Sequence, residues 1–189
     1  MEKVLLVSST ERGISSLSSL LQESRGAYDV TISHSGVEAR RTILDNDWDL
    51  VIINAPLCDE SGEQLACMVT ERTLGAAVMV VRTEYLAETE AQVQDHGVLV
   101  VTKPLVRQVF FQTLNLARAL SRRLANLKDE NQKLQKKIEE IKVVDRAKWT
   151  LIRNLGMDEQ QAHRYIEKQA MDLRKSRLEI ASSILKTYP

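Results

Sequence analysis

The chain has 189 residues, 43 % of them apolar, with 7 Gly, 3 Pro and 26 acidic side chains balanced by 26 basic ones. That composition suffices for one ordinary domain and a smaller second module, and it excludes a disordered polyelectrolyte. No apolar run has the length of a membrane span, and the chain opens on the strand-like Val4-Leu5-Leu6-Val7 rather than a basic leader, so a cytoplasmic protein with no membrane partner is expected.

The zero net charge hides a division. Residues 1–120 carry 16 acidic and 10 basic side chains, and residues 121–189 carry the reverse, 10 and 16. An acidic half joined to a basic half points the second half toward a polyanion. Cys58 and Cys67 lack CxxC spacing and any His cluster, so reduced thiols are expected, with neither disulfide nor metal nor cofactor.

In chain order, Lys3–Ser8 reads as a buried strand, followed by an amphipathic helix with Ile14, Leu17, Leu20 and Leu21 at helical spacing. Tyr28–Ser33 is a second strand, and Gly36–Asn46 a second helix carrying Val37, Ile43 and Leu44. Asp49–Asn54 is an apolar strand of the kind covered on both faces. Ala77–Val81 and Val98–Thr102 are two more strands, separated by helices around Glu63–Thr73 and Leu86–Asp95. Five such units predict an α/β doubly wound parallel sheet with its crevice at the strand C-terminal ends.

Asp49-Leu-Val-Ile-Ile-Asn54, Gly62 eight residues later and Lys103-Pro104 after the fifth strand resemble the response-regulator receiver domain over residues 1–120. The resemblance implies a flavodoxin-like 2-1-3-4-5 strand order. It also implies an aspartate phosphoacceptor ending the third strand, an acidic pair for Mg²⁺ after the first, a hydroxyl ending the fourth, and a lysine on the phosphoryl oxygens. Here Asn54 replaces the acceptor and Ser8 and Ser9 replace the acidic pair; only Lys103 matches. An amide is not a nucleophile, and the hydroxyls offer little to a cation that prefers carboxylate oxygen. Lys103 is therefore expected to hydrogen-bond Asn54 or a loop carbonyl. Thr83 stands near the family hydroxyl, and Asp59 and Glu11 are the carboxylates from which a substitute acceptor or ligand would have to come. The expectation is a degenerate receiver, unresponsive to ordinary aspartyl phosphorylation.

After Pro104 no Gly occurs until Gly156 and no Pro until the last residue, so Val106–Leu155 reads as one long helix. Leu120, Leu127, Leu134 and Ile141 fall at d positions, and Leu124, Asn131 and Ile138 at a positions. This seam over residues 121–143 predicts a coiled-coil homodimer, with the single Asn at a setting register. Arg123–Lys128 and Lys137–Lys142 would be repulsive g–e pairs in a parallel zipper.

Residues 144–189 complete the chain as a three-helix module. Gly156 suits a helix C′ position, and Asp158–Gln161 and Ser176–Glu179 read as capping boxes. Met157, Ala162, Ile166, Ala170, Met171 and Leu173 are expected inward from the middle helix, and Leu178, Ala181, Ile184 and Leu185 from the last. Val144-Asp-Arg-Ala-Lys-Trp149, Leu155-Gly-Met157, Glu159, Ala162, Arg164 and Ala170-Met171 resemble the ANTAR domain, a family of RNA-binding transcription antiterminators, over roughly residues 126–188.

The exposed set is basic and aromatic: Arg146, Lys148, Trp149, Arg153, His163, Arg164, Tyr165, Lys168, Arg174 and Lys175, with Arg177 beside them. Cations neutralise phosphates, and aromatic faces stack on unpaired bases. Arg146, Lys148 and Arg164 sit inside the family motif. Core packing and base stacking both remain open for Trp149 and Tyr165, and contacts such as Asp145–Lys148 have a structural alternative. The resemblance implies recognition of paired hairpin loops in nascent mRNA, one hexanucleotide loop per module, with no enzymatic reaction. The alternatives are a DNA-binding regulator or a protein-binding adaptor. Control would come from a regulatory protein or a small ligand at the receiver.

Overall fold

The computed structural model describes residues 1–24 and 26–188. Strands β1 (Glu2–Val7), β2 (Tyr28–Ser33), β3 (Leu50–Asn54), β4 (Ala76–Arg82) and β5 (Leu99–Lys103) alternate with helices α1 (Glu11–Glu23), α2 (Gly36–Asp45), α3 (Glu63–Arg72) and α4 (Leu86–Val93), and α5 (Arg107–Leu155) follows β5. All strand pairs are parallel, in the order β2-β1-β3-β4-β5. This is the doubly wound order expected from the sequence, with each strand within a residue or two of its predicted place.

Side-chain alternation builds two cores from one sheet. Leu5, Val7, Val51, Ile53 and Met79 face α2, α3 and α4, meeting Ala39, Ile43, Leu65 and Val69. Val4, Leu6, Ile52, Val78 and Val80 face the other way, against Leu17 and Leu21 of α1 and Phe110, Leu114 and Ala117 of α5. β3 is buried at every position, which is why its sequence shows no polar alternation. Each fully buried Leu, Ile or Phe contributes about 1.5–3 kcal/mol.

Two compact units divide the chain, Met1–Asn126 and Leu127–Pro189, and α5 supplies residues to each. The second unit adds α6 (Glu159–Leu173) and α7 (Arg177–Thr187) around Ala147, Leu151, Ala162, Ile166, Ile180, Ala181 and Ile184. Both predicted capping boxes form: Asp158 accepts from the Gln161 N–H at 2.7 Å, and Ser176 from the Glu179 N–H at 3.2 Å. Gly156 takes the left-handed conformation after α5, with φ 65°. No described helix is long and apolar enough to cross a membrane.

Some apolar residues expected in the cores lie outside them. The buried line of α6 is Ala162 and Ile166, continued by the half-buried Ala170. Met171 is one residue past that line, about 100° further round the helix, and is exposed. Leu173 ends α6 where nothing covers it and is exposed too. Val37 and Leu44 are displaced in the same way from the Ala39–Ile43 line of α2, and only Ile43 of the predicted trio is buried.

The end of α6 is a Schellman turn. The Lys175 N–H donates to the Ala170 carbonyl at 3.0 Å and the Arg174 N–H to that of Met171 at 3.2 Å, with Arg174 at φ 51°, ψ 41°. A glycine there escapes the Cβ crowding that an L side chain meets. Arg174→Gly is expected to stabilise the chain by about 0.5–1 kcal/mol, read as a higher thermal midpoint by circular dichroism.

Candidate nucleic-acid interface and the crevice of the sheet

At the C-terminal ends of β1 and β3 the crevice is closed by hydrogen bonds between uncharged groups. The buried Asn54 amide donates to Ser8 Oγ at 2.9 Å, and Ser8 Oγ lies 3.3 Å from the Thr10 carbonyl. Gly13, in the first turn of α1, passes so close that a Cβ would collide with Asn54 Nδ2 and come within 2.6 Å of Ser8 Oγ. Ser9 Oγ donates to the His34 carbonyl at 3.0 Å and accepts the Cys58 N–H at 2.7 Å, tying the loop after β3 to the loop after β2. Both serines are thus committed to holding loops.

Lys103 donates its ammonium to the Ala55 carbonyl at 2.7 Å. Burial, with Arg82 nearby, holds its pKa below the ordinary lysine value. Thr83 is placed by its hydroxyl, which donates to the Lys103 carbonyl at 2.9 Å. The carboxylate Asp59 is occupied: its two oxygens accept the Gly36 and Val37 N–H groups, each at 2.9 Å, at the N-terminus of α2. Those bonds hold its pKa below the ordinary value. Glu60 beside it grips Arg40 through two 2.6 Å bonds. These clamps were missed in the sequence because their partners are 20 to 23 residues apart. Among the described residues, no group of three or more His, Cys, Asp and Glu stands close enough to hold a metal.

In the second unit, the cations named from the sequence separate into two kinds. Lys148 has only 17 % of its side chain exposed; its ammonium pairs with Asp145 at 2.7 Å and Glu159 at 3.6 Å, joining α5 to the start of α6. Arg177 pairs with Glu167 at 3.2 Å, and the His163 ring Nε2 lies 3.3 Å from the same carboxylate. By contrast, Arg146, Arg153, Arg164, Lys168, Arg174 and Lys175 are exposed and make no ion pair among the described residues. Trp149 is 70 % exposed, and Tyr165 is exposed as well, so neither ring closes the small core. Trp149 lies between Arg146 and Arg153 at i−3 and i+4 on α5, a cation–aromatic–cation run on one helix face.

Along α5, Leu120, Leu124, Leu127, Leu134, Ile138 and Ile141 are 37–62 % exposed, and Asn131 is exposed among them. None of them belongs to the cores of either unit. A 3-4 apolar row left open in this way is a surface that single-chain packing does not use.

Comparison with known proteins places this geometry. The ANTAR domain family matches residues 132–185. The aliphatic amidase regulator of Pseudomonas aeruginosa is 32 % identical over 131 residues, 69 % of this chain and 65 % of that protein. The transcriptional regulatory protein PdtaR of Mycobacterium tuberculosis is 26 % identical over 140 residues, 74 % of this chain and 68 % of that protein. The chain therefore matches about two thirds of the length of these relatives. Among solved structures, the signal receiver domain of an HD domain-containing protein from Pseudomonas fluorescens Pf-5 superposes with a TM-score of 0.59 at 20 % identity, over 66 % of this chain and 92 % of that one. A response regulator receiver domain protein from Clostridium thermocellum does so with a TM-score of 0.58 at 19 % identity, over 66 % and 99 %. The α/β unit has the receiver fold.

Lys148 provides a check on the internal pairing of the module. Asp145 first, then Glu159, holds its ammonium pKa above the ordinary lysine value. Its contribution is therefore complete below that ordinary value and is lost as pH climbs through the raised one. Lys148→Met, which keeps the apolar stem, should cost about 0.5–1 kcal/mol at neutral pH. In thermal unfolding followed against pH, the gap to the wild type should close above the lysine range.

Proposed function

From a chain that belongs to the ANTAR-type response regulators, a receiver-fold domain followed by an ANTAR domain, we propose an RNA-binding regulator of transcription antitermination that works as a homodimer. The observation that carries this reading is the set of six exposed cations on the second unit that make no ion pair among the described residues, with Trp149 and Tyr165 open among them. Arg146, Arg153, Arg164, Lys168, Arg174 and Lys175 neutralise phosphates, and the two rings stack on bases turned out of a hairpin loop. His163 and Lys148 stand beside this surface, and Lys148 acts by setting α6 against α5.

Residues 121–143 form the dimerising coiled coil between a degenerate receiver, 1–120, and the RNA-binding helices, 144–189. The open 3-4 row from Leu120 to Ile141 supports this. Two modules on one dimer take two tandem loops of a leader transcript, and tethering raises the avidity without new contacts. Holding the hairpins keeps a terminator from forming, so the protein contributes binding energy and catalyses nothing. Control passes through a partner protein or a small ligand at the receiver, because the crevice presents the uncharged Asn54–Ser8 pair in place of a carboxylate acceptor.

The reading is tested with an RNA carrying two tandem hexanucleotide loops and duplex DNA of equal length, titrated over a salt series. Tight binding to the RNA alone, abolished by changing the loop bases, is expected. Arg164→Ala should weaken it and lower the slope of log K against log[salt] by about 0.7–0.9. Leu127→Lys should sediment as a monomer and lose the advantage of the tandem RNA. Equal, loop-independent binding to both polymers would overturn the proposal in favour of a general basic surface. The receiver is checked separately: acetyl phosphate with Mg²⁺ should leave the intact mass unchanged, and gain of a phosphoryl group would sink the degenerate assignment.

A further inference from the structure

The outward side of α6 holds a residue that the sequence analysis placed in the core and that its lack of charge does not mark for binding. Met171 is 78 % exposed, more open than the other large apolar side chains of the helical unit. Methionine is ordinarily a buried gap-filler, and its polarizable thioether suits contact with aromatic surfaces. Taking Ile166 as the direction of the core, Met171 lies about 140° round the helix, with Arg164 and Lys168 at about 160° and 200°. These three side chains, at i, i+4 and i+7 from Arg164, form one stripe facing away from the core.

Both cations of the stripe are exposed and lack a carboxylate partner among the described residues, whereas Glu167 is engaged by His163 and Arg177. After Met171 come the exposed Asp172 and then Leu173, and the chain leaves α6 through Arg174 and Lys175, two more cations without an ion pair among the described residues. A second copy of this surface would be repelled by that charge, and an apolar protein face would leave four cations desolvated or unanswered. RNA answers both features at once: phosphates meet the cations, and an unpaired base presents a flat aromatic face to the thioether.

We propose that the outward stripe of α6 is a nucleobase platform, with Met171 packed on the face of an unpaired base and Arg164 and Lys168 on the flanking phosphates. The proposal rests on the RNA-binding reading and adds a point of base contact on a helix where composition marks mainly charge.

The full-length protein first selects its own probe from a pool of tandem hairpin RNAs with randomised six-nucleotide loops. The selected RNA is then made intact and with each loop base in turn removed. Met171→Ala is checked for wild-type folding by circular dichroism, which its exposure favours. It should bind the intact RNA roughly 2- to 10-fold more weakly, with an unchanged salt slope. It should also match the wild type on the one RNA lacking the contacted base. Arg164→Gln and Lys168→Gln should weaken every RNA alike and lower the salt slope. If the wild type discriminates among the loops and Met171→Ala discriminates equally well at equal affinity, the platform is overturned while RNA binding stands. If the wild type enriches no loop, both are overturned.

Discussion

One helix meets three different demands on its apolar side chains, and most of the molecule depends on that. Phe110, Leu114 and Ala117 of α5 close one face of the receiver-fold sheet. Leu120 to Ile141 stay open to solvent, and Ala147 and Leu151 enter the core of the helical unit. No glycine or proline interrupts Arg107–Leu155, so backbone hydrogen bonding continues through segments whose side chains serve unrelated surroundings. The open middle segment is the surface for which a second copy is proposed.

In the receiver-fold unit the cores and the crevice are separate. Val4 through Val7, the whole of β3 and the inner part of β4 are buried by α1 to α5 whatever stands at the strand ends. At those ends, clustered carboxylates would repel one another unless a cation were bound. Asn54 and Ser8 replace that arrangement with a neutral pair, and Asp59 is turned to the N-terminus of α2. Such a crevice needs no ion for stability.

Much of the architecture was legible in the residues. The five strands were visible as apolar runs bounded by helical segments, and the caps at Asp158 and Ser176 were visible because a capping box is local, complete within four residues. Met171, Val37 and Leu44 were misplaced for a common reason. Helical spacing defines a stripe only to within one residue, and one residue is about 100°, enough to move a side chain from core to solvent. The cations posed a different difficulty. Asp145 lies three residues from Lys148, close enough to suspect a pair, but Glu159 reaches it only because α6 folds back beside α5.

The order of elements, the helix ends, the uncharged residues at 54 and 8 and the apolar row of α5 were determined by the sequence itself, because each follows from residue type and spacing along a few turns. Tertiary structure decided which charges were left over. Lys148 reaches Glu159 and Arg177 reaches Glu167 across helices, while Arg164, Lys168 and Arg174 face solvent, although these five cations look alike in a string of letters. Ion pairing acts over a few ångströms between segments brought together by burial of Ala147, Ile166 and Ile180. The surface proposed for a polyanion is therefore a consequence of packing as well as of composition.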